Sequence, residues 1–201
     1  MTDTIIDLIR HGEPVGGRVY RGNRIDDCLS ETGWHQMRSA VRDTARWQQV
    51  VSSPMARCHQ FAKEIASKYE LPLEVAPDFR EVGFGSWEGR TPDEIVRDSP
   101  EEYEAFYADP VNSRPAGAEP LQDFYSRAVT AFDRLAENYK DQRVLVVTHA
   151  GVIRAIVAYA LEAPLASMYR MKIDYAGVSR VRVADNKLRL ETFNNIAIQD
   201  S

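Results

Sequence analysis

Arg10-His11-Gly12-Glu13 follows directly on the apolar run Ile5-Ile6-Asp7-Leu8-Ile9. A guanidinium and an imidazole thus stand side by side where a buried strand ends, and the strand ends of an open α/β sheet are where ligands bind. Arginine reads phosphate through paired N–H donors. Histidine acts as a nucleophile or proton carrier near neutral pH, and the glycine lets the backbone turn sharply beside a ligand. Phosphate chemistry on histidine is the first expectation. His149 follows a second apolar strand, Val144-Leu145-Val146-Val147-Thr148, and Arg57 lies in the first turn after a third. Taken singly, each reads as readily as a structural residue: a histidine closing a strand, an arginine on a solvated helix. Three separate strand ends that bring phosphate-competent side chains to one sheet edge point to a site.

The elements that must position these residues can be read from pattern. Residues 4–9 form a short buried strand bounded by Gly12 and Pro14. Residues 13–29, rich in Gly, Pro, Asp and Arg, form a long ordered loop, and such loops inside compact domains are usually functional. Ser30 caps a helix to about residue 45, with Trp34, Met37 and Val41 on one face. Residues 49–52 form a strand, after which Ser53 caps and Pro54 opens a helix to about residue 69. Leu73-Glu74-Val75 is another strand. Thr91-Pro92-Asp93-Glu94 and Ser99-Pro100-Glu101-Glu102 both have capping-box spacing and predict two short helices. A Pro/Gly/Asn loop spans 109–120, and Phe124, Ala128, Phe132 and Leu135 mark an amphipathic helix to about residue 139. An apolar helix follows at 152–161, and 179–183 with 188–193 make a closing hairpin. This alternation implies an α/β fold, a three-layer α/β/α sandwich. Its central sheet is mostly parallel, with an antiparallel edge strand. Right-handed crossovers bring the parallel strands' C-termini to one edge. One domain over 1–201, with a helical insertion at about 91–120, is the economical reading.

Composition narrows the partners. With 201 residues, 44% hydrophobic and 27% charged, the chain is an ordinary globular one with enough length for a well-formed core. A net charge of -5 gives no general attraction for nucleic acid or an anionic membrane, so an anion site must be a local concentration of arginine. Cys28 and Cys58 make no disulfide framework and read as reduced cytosolic thiols. Neither a basic-then-apolar leader nor a stretch long enough to span a bilayer is apparent, so a cytoplasmic protein is expected.

The constellation resembles the histidine phosphatase, or phosphoglycerate-mutase-like, family over nearly the whole chain. Arg10-His11-Gly12 is the most specific block. Ser52-Ser53-Pro54-Met55-Ala56-Arg57 resembles the second, Phe79-Arg80-Glu81-Val82-Gly83-Phe84-Gly85-Ser86-Trp87-Glu88-Gly89 the third, and Thr148-His149-Ala150-Gly151 the fourth. Pro115-Ala116-Gly117-Ala118-Glu119 and the later Arg127 sit where relatives carry a Gly-Glu loop and a following arginine. The resemblance implies that His11 attacks phosphorus, with its other ring nitrogen donating to a backbone carbonyl such as that of Gly12. It implies that Arg10, Arg57 and His149 hold the phosphoryl oxygens, with Ala150 beside them. Glu81 is the implied proton donor and then base, its pKa raised near the bound dianion. From the residues alone, Glu81 reads equally as a surface carboxylate paired with Arg80 or Arg90.

Departures from the pattern concern the loop after the nucleophile. Relatives often place an asparagine where this chain has Gly17; Arg18 or Arg21 would supply the missing donor, or Gly16-Gly17 form a turn and nothing more. Glu13 is a candidate alternative acid or a partner for Arg57. His35 and His59 read as surface or interface residues, Cys58 as a small buried helix residue, and Trp87 equally as pocket rim or core. A metal held by His11, His149 and Glu81 is rejected because two arginines beside them would repel a cation. No cofactor is expected. The implied activity is a phosphomonoesterase acting on a small phosphorylated metabolite. The alternatives are a phosphoglycerate-mutase-type phosphotransferase and a non-catalytic phosphate-binding protein. Val82-Gly83 after Glu81 and the short chain favour hydrolysis. The loop Val19-Tyr20-Arg21-Gly22, with Asp26-Asp27 and Gly33-Trp34, most resembles the α-ribazole phosphatase branch of cobalamin assembly. A homodimer is one assembly that the sequence leaves open.

Overall fold

The computed structural model describes residues 3–42, 46–185 and 187–198. β1 (Thr4–Arg10) lies inside a six-stranded sheet of order β3-β2-β4-β1-β5-β6. It pairs in parallel with β4 (Arg143–Thr148), which pairs in parallel with β2 (Gln49–Ser52), itself parallel to β3 (Leu73–Val75). β5 (Val178–Ala184) runs antiparallel to β1, and β6 (Lys187–Asn195) antiparallel to β5, so the antiparallel edge is a hairpin. β2 and β4 are buried at every residue. That continuous burial is what helices on both faces of a parallel sheet require.

The two faces have separate cores. α1 (Glu31–Val41) and α2 (Ala56–Lys68) bring Met37, Phe61 and Ile65 against Ile9, Val50, Leu145 and Val147. α5 (Leu121–Asn138) and α6 (Ala150–Ala160) bring Phe124, Phe132, Ile153 and Ile156 against Ile6, Leu8, Val144 and Val146. Alternate residues of the central strands therefore feed opposite cores, and each large side chain buried contributes about 1.5–3 kcal/mol. This is the expected three-layer α/β/α arrangement. α3 (Pro92–Asp98) and α4 (Pro100–Ala108) form a third cluster of Trp87, Ile95 and Phe106, lined by Tyr20, Phe84, Tyr103 and Tyr169. Trp87 is fully buried there. Among the described residues no helix is long and apolar enough to cross a membrane.

Four local expectations are corrected. α1 stops at Val41, where Arg42 takes a φ of 52°, and the remainder of the expected helix, 43–45, lies outside the described residues. α2 begins at Ala56 rather than Pro54, because Ser53 still belongs to the sheet through its N–H to Val147 O at 3.0 Å. A distant side chain serves the helix start instead, as Asp26 Oδ1 accepts from Ala56 N at 2.7 Å. The Thr91–Glu94 capping box forms, but Ser99 makes no side-chain cap. Ser99 ends α3 and starts α4 at once, and its N–H is taken by Ile95 O. α6 starts at Ala150, two residues earlier than its apolar pattern indicates, with His149 at the N-cap position.

Candidate active site

Parallel pairing of β1, β4 and β2 puts Arg10-His11, Thr148-His149 and Ser52-Ser53 at one end of the sheet. The chain leaves β1 and β2 through helices on one face and reaches and leaves β4 through helices on the other. The crevice at such a switch of faces is the usual ligand site of an open α/β sheet.

His11 is 5% exposed, and its backbone N–H donates to Thr148 O at 2.9 Å. Its Nδ1 lies 2.7 Å from Gly12 O. A carbonyl only accepts, so Nδ1 carries the hydrogen and Nε2 holds the lone pair. The turn after His11 is held tightly, since a Cβ at Gly12 would overlap Gly33 O at the start of α1. Burial, followed by the charges of Arg10 and Arg57, pushes the His11 pKa well below the ordinary histidine value. His149 is fully buried, with its ring centroid 5.2 Å from that of His11 and the planes at 66°. Its pKa is also pushed well down, by burial first and then by Arg57. Ser53 Oγ lies 2.7 Å from His149 Nε2.

The two arginines are anchored by carbonyls. Arg10 Nη1 donates to Ile173 O at 2.6 Å, and its guanidinium stacks 4.2 Å above the Tyr175 ring. Arg57, 1% exposed, donates from Nη1 to Ile25 O at 2.9 Å and from Nη2 to Gly22 O at 3.1 Å. In both, Nε is buried and has no hydrogen-bond partner among the described residues. An unpaired buried donor costs about 1–3 kcal/mol, and a bound anion would relieve that cost.

Glu81 reaches the same edge from the loop before α3. Its Oε1 accepts from Val82 N at 2.9 Å and from Gly151 N in the first turn of α6 at 3.1 Å. Gly151 is required for this approach, because a Cβ there would overlap Oε1 and meet Phe124 Cζ at 3.2 Å. Arg127 braces the loop: it donates to the carbonyls of Asp78, Arg80 and Glu81 and forms a two-pronged pair with Glu119. Glu119 in turn accepts from Gly83 N at 3.1 Å. The Gly-Glu loop and its arginine therefore clamp the backbone on either side of Glu81.

The remaining predicted residues separate. Arg21 is buried and committed to Asp27 Oδ2 at 2.9 Å and Val15 O at 2.6 Å, yet its charge still acts on His11. Gly16 and Gly17 have φ of 83° and 72° and form an exposed turn, and Arg18 beside them is exposed. Among the described residues Glu13 makes no hydrogen bond to Arg57; its backbone binds Gln36 and Ser30 instead. Ala150 is buried next to His149. Cys58 is buried and Cys28 exposed, both as free thiols. Sequence reasoning did not assign Ser53, Gly151 and Tyr175 to the site. The Ser-Pro pattern led Ser53 to be read as a helix cap, and nothing in the spacing around Tyr175 marks it. Among the described residues no group of three or more His, Cys, Asp and Glu is placed to hold a metal ion.

A family model described as the histidine phosphatase superfamily (branch 1) matches residues 6–196. The bifunctional protein Rv2228c of Mycobacterium tuberculosis is 34% identical over 183 residues, covering 89% of this chain and 50% of that protein. The chain thus spans about half the length of the first curated relatives it matches. The adenosylcobalamin/alpha-ribazole phosphatase of Escherichia coli is 27% identical, covering 95% of this chain and 96% of that one. The metal-independent phosphoserine phosphatase of Arabidopsis thaliana is 30% identical, covering 96% and 82%. The crystal structure of the alpha-ribazole phosphatase from Shigella flexneri superposes with a TM-score of 0.83 at 27% identity, covering 98% of this chain and 99% of that one.

Proposed function

The chain belongs to the histidine phosphatase superfamily, branch 1, and on that premise we propose that it is a phosphomonoesterase working through a phosphohistidine on His11. The observation that carries the reading is the His11 ring. With Nδ1 pinned to Gly12 O and burial opposing a positive charge, Nε2 is a lone-pair nucleophile aimed from a rigid strand end. Arg10, Arg57 and His149 hold the phosphoryl oxygens, where transition-state charge gathers. Nε2 attacks phosphorus, the P–O bond to the leaving group breaks, and the departing oxygen takes a proton from Glu81. In the second half Glu81 accepts a proton from water as its oxygen attacks phosphorus; the P–N bond breaks, the lone pair returns to Nε2 and inorganic phosphate is released.

Arg21 takes up part of the role of the asparagine that relatives often carry at the Gly17 position, not as a donor but through its charge and by holding the loop against Asp27. The substrate is a small phosphorylated metabolite. α-Ribazole 5'-phosphate is our first choice, supported by the early loop and by the E. coli relative. Rapid quench at mildly alkaline pH should trap an acid-labile phosphate on His11, and His11→Ala should abolish turnover of a panel including α-ribazole phosphate, phosphoserine and 3-phosphoglycerate. Trapped phosphate on any other residue rejects the mechanism, and isomerisation of phosphoglycerate without net hydrolysis would favour a mutase.

A further inference from the structure

We propose that Ser53 is a positioning residue that fixes the tautomer of His149: its hydroxyl donates to Nε2, so that His149 presents Nδ1–H to the phosphoryl group. The direction of that hydrogen bond rests on the phosphatase reading; the Ser53–His149 contact does not.

The argument joins one short contact to the charge that His149 must face. A serine hydroxyl has one hydrogen and two lone pairs. Ser53 Oγ accepts the Met55 N–H at 3.4 Å, which leaves its hydrogen and one lone pair to meet His149 Nε2 at 2.7 Å, so the contact holds whichever tautomer the site selects. Among the described residues the other hydrogen-bond partner of the ring is Cys58 Sγ, 3.6 Å from Nε2 and 3.8 Å from Nδ1. Near-equal distances to the two nitrogens put the sulfur off both nitrogen bonding axes, and the thiol hydrogen points to Thr148 O at 3.4 Å. The thiol therefore does not choose a tautomer, whereas the hydroxyl can hold the one the site selects. Ser53 is itself immobile, since its N–H is bonded to Val147 O and its carbonyl accepts from Ser52 Oγ at 2.7 Å.

The choice matters because His149 is buried beside Arg10 and Arg57, where a second positive charge is opposed. A neutral imidazole has a single N–H. If Nε2 carried it, Nδ1 would turn a lone pair toward an anionic phosphoryl oxygen and repel it. With Nε2 occupied by the Ser53 hydroxyl, Nδ1–H is a preorganised neutral donor. His11 and His149 then share one tautomer for opposite purposes. The Gly12 carbonyl holds the hydrogen of His11 and frees a lone pair, while the Ser53 hydroxyl occupies the lone pair of His149 and frees a hydrogen.

The test is long-range 1H–15N correlation of the histidine rings in the unliganded full chain at pH 7, assigned through single His→Gln variants. The four histidines make the spectrum tractable. His149 should show the Nδ1–H pattern in the unmodified protein and in Cys58→Ala, and a mixture or the Nε2–H pattern in Ser53→Ala. Ser53→Ala should also lose about ten-fold in kcat/KM, the size of one ordinary hydrogen bond. A wild-type His149 in the Nε2–H form, or an unchanged pattern in Ser53→Ala, overturns the proposal. Because the spectra need no substrate, failure to hydrolyse any phosphomonoester would sink the phosphatase reading alone.

Discussion

His11 and His149 lie 5.2 Å apart between two arginines, and both rings are held neutral by burial and by those positive charges. An exposed histidine nucleophile would lose activity as pH falls through about 6.5. Here the His11 pKa lies well below that value, so the neutral, attacking form persists into acid. The acid limb of kcat/KM should accordingly fall well under pH 6.5, measured with a substrate whose own phosphate ionisation is corrected for. A limb at 6.5 would mean that the ring is more solvated than its 5% exposure implies. Glu81 makes the complementary prediction. Glu81→Gln keeps the acceptor oxygen for Val82 and Gly151 but cannot give up a proton. Hydrolysis of an alkyl phosphate should drop about 10²–10⁴-fold, the usual worth of general acid–base catalysis, with a much smaller loss for p-nitrophenyl phosphate. Equal losses on both would remove Glu81 from the acid role.

At the scale of elements, the site depends on how closely a loop and a helix start can approach. Gly151→Ala places a methyl on Glu81 Oε1 while leaving α6 a better helix former. The expected outcome is a thermal midpoint changed little and a loss of turnover concentrated on poor leaving groups, as for Glu81→Gln but milder. Comparing the two variants on one substrate pair checks this. The elements themselves were mostly legible. Apolar runs marked β1 and β4, Ser30 marked the start of α1, and Thr91–Glu94 marked α3, because each signal is local. What failed was also physical. Ser53-Pro54 has the pattern of a helix start, but a sheet bond to Val147 and the cap from Asp26 decide the boundary, and both come from residues far away in sequence. The role of Arg127 was readable only as a resemblance. Its contacts with Asp78, Arg80, Glu81 and Glu119 cross up to 49 residues of chain, and no periodicity reports them.

For the whole molecule, the features that build the site also shape stability. Asp7, fully buried in the middle of β1, accepts from Arg143 of β4, Arg180 of β5 and Trp47 ahead of β2. It ties the strand carrying His11 to both its neighbours. Sequence reading passed over it as one residue in an apolar run, although a carboxylate on a central strand is itself a signal of buried partners. Asp7→Ala removes the buried carboxylate to which Arg143 and Arg180 both donate and should cost about 3–5 kcal/mol in urea unfolding. The paired histidines add a pH dependence whose sign can be worked out. Below pH ~6.5 the unfolded chain binds a proton on each, while the folded protein, with both pKa values pushed well down, does not. More protons on the unfolded state means that stability rises with pH, so it is lost as pH falls from 6.5. Each histidine contributes up to about 1.4 kcal/mol per pH unit in that window. Between pH 6.5 and 5, above the range where ordinary carboxylates titrate, urea midpoints should fall steadily in the unmodified protein. In His149→Gln they should fall about half as steeply, and a flat profile in the unmodified protein would mean that neither ring is held neutral by the fold.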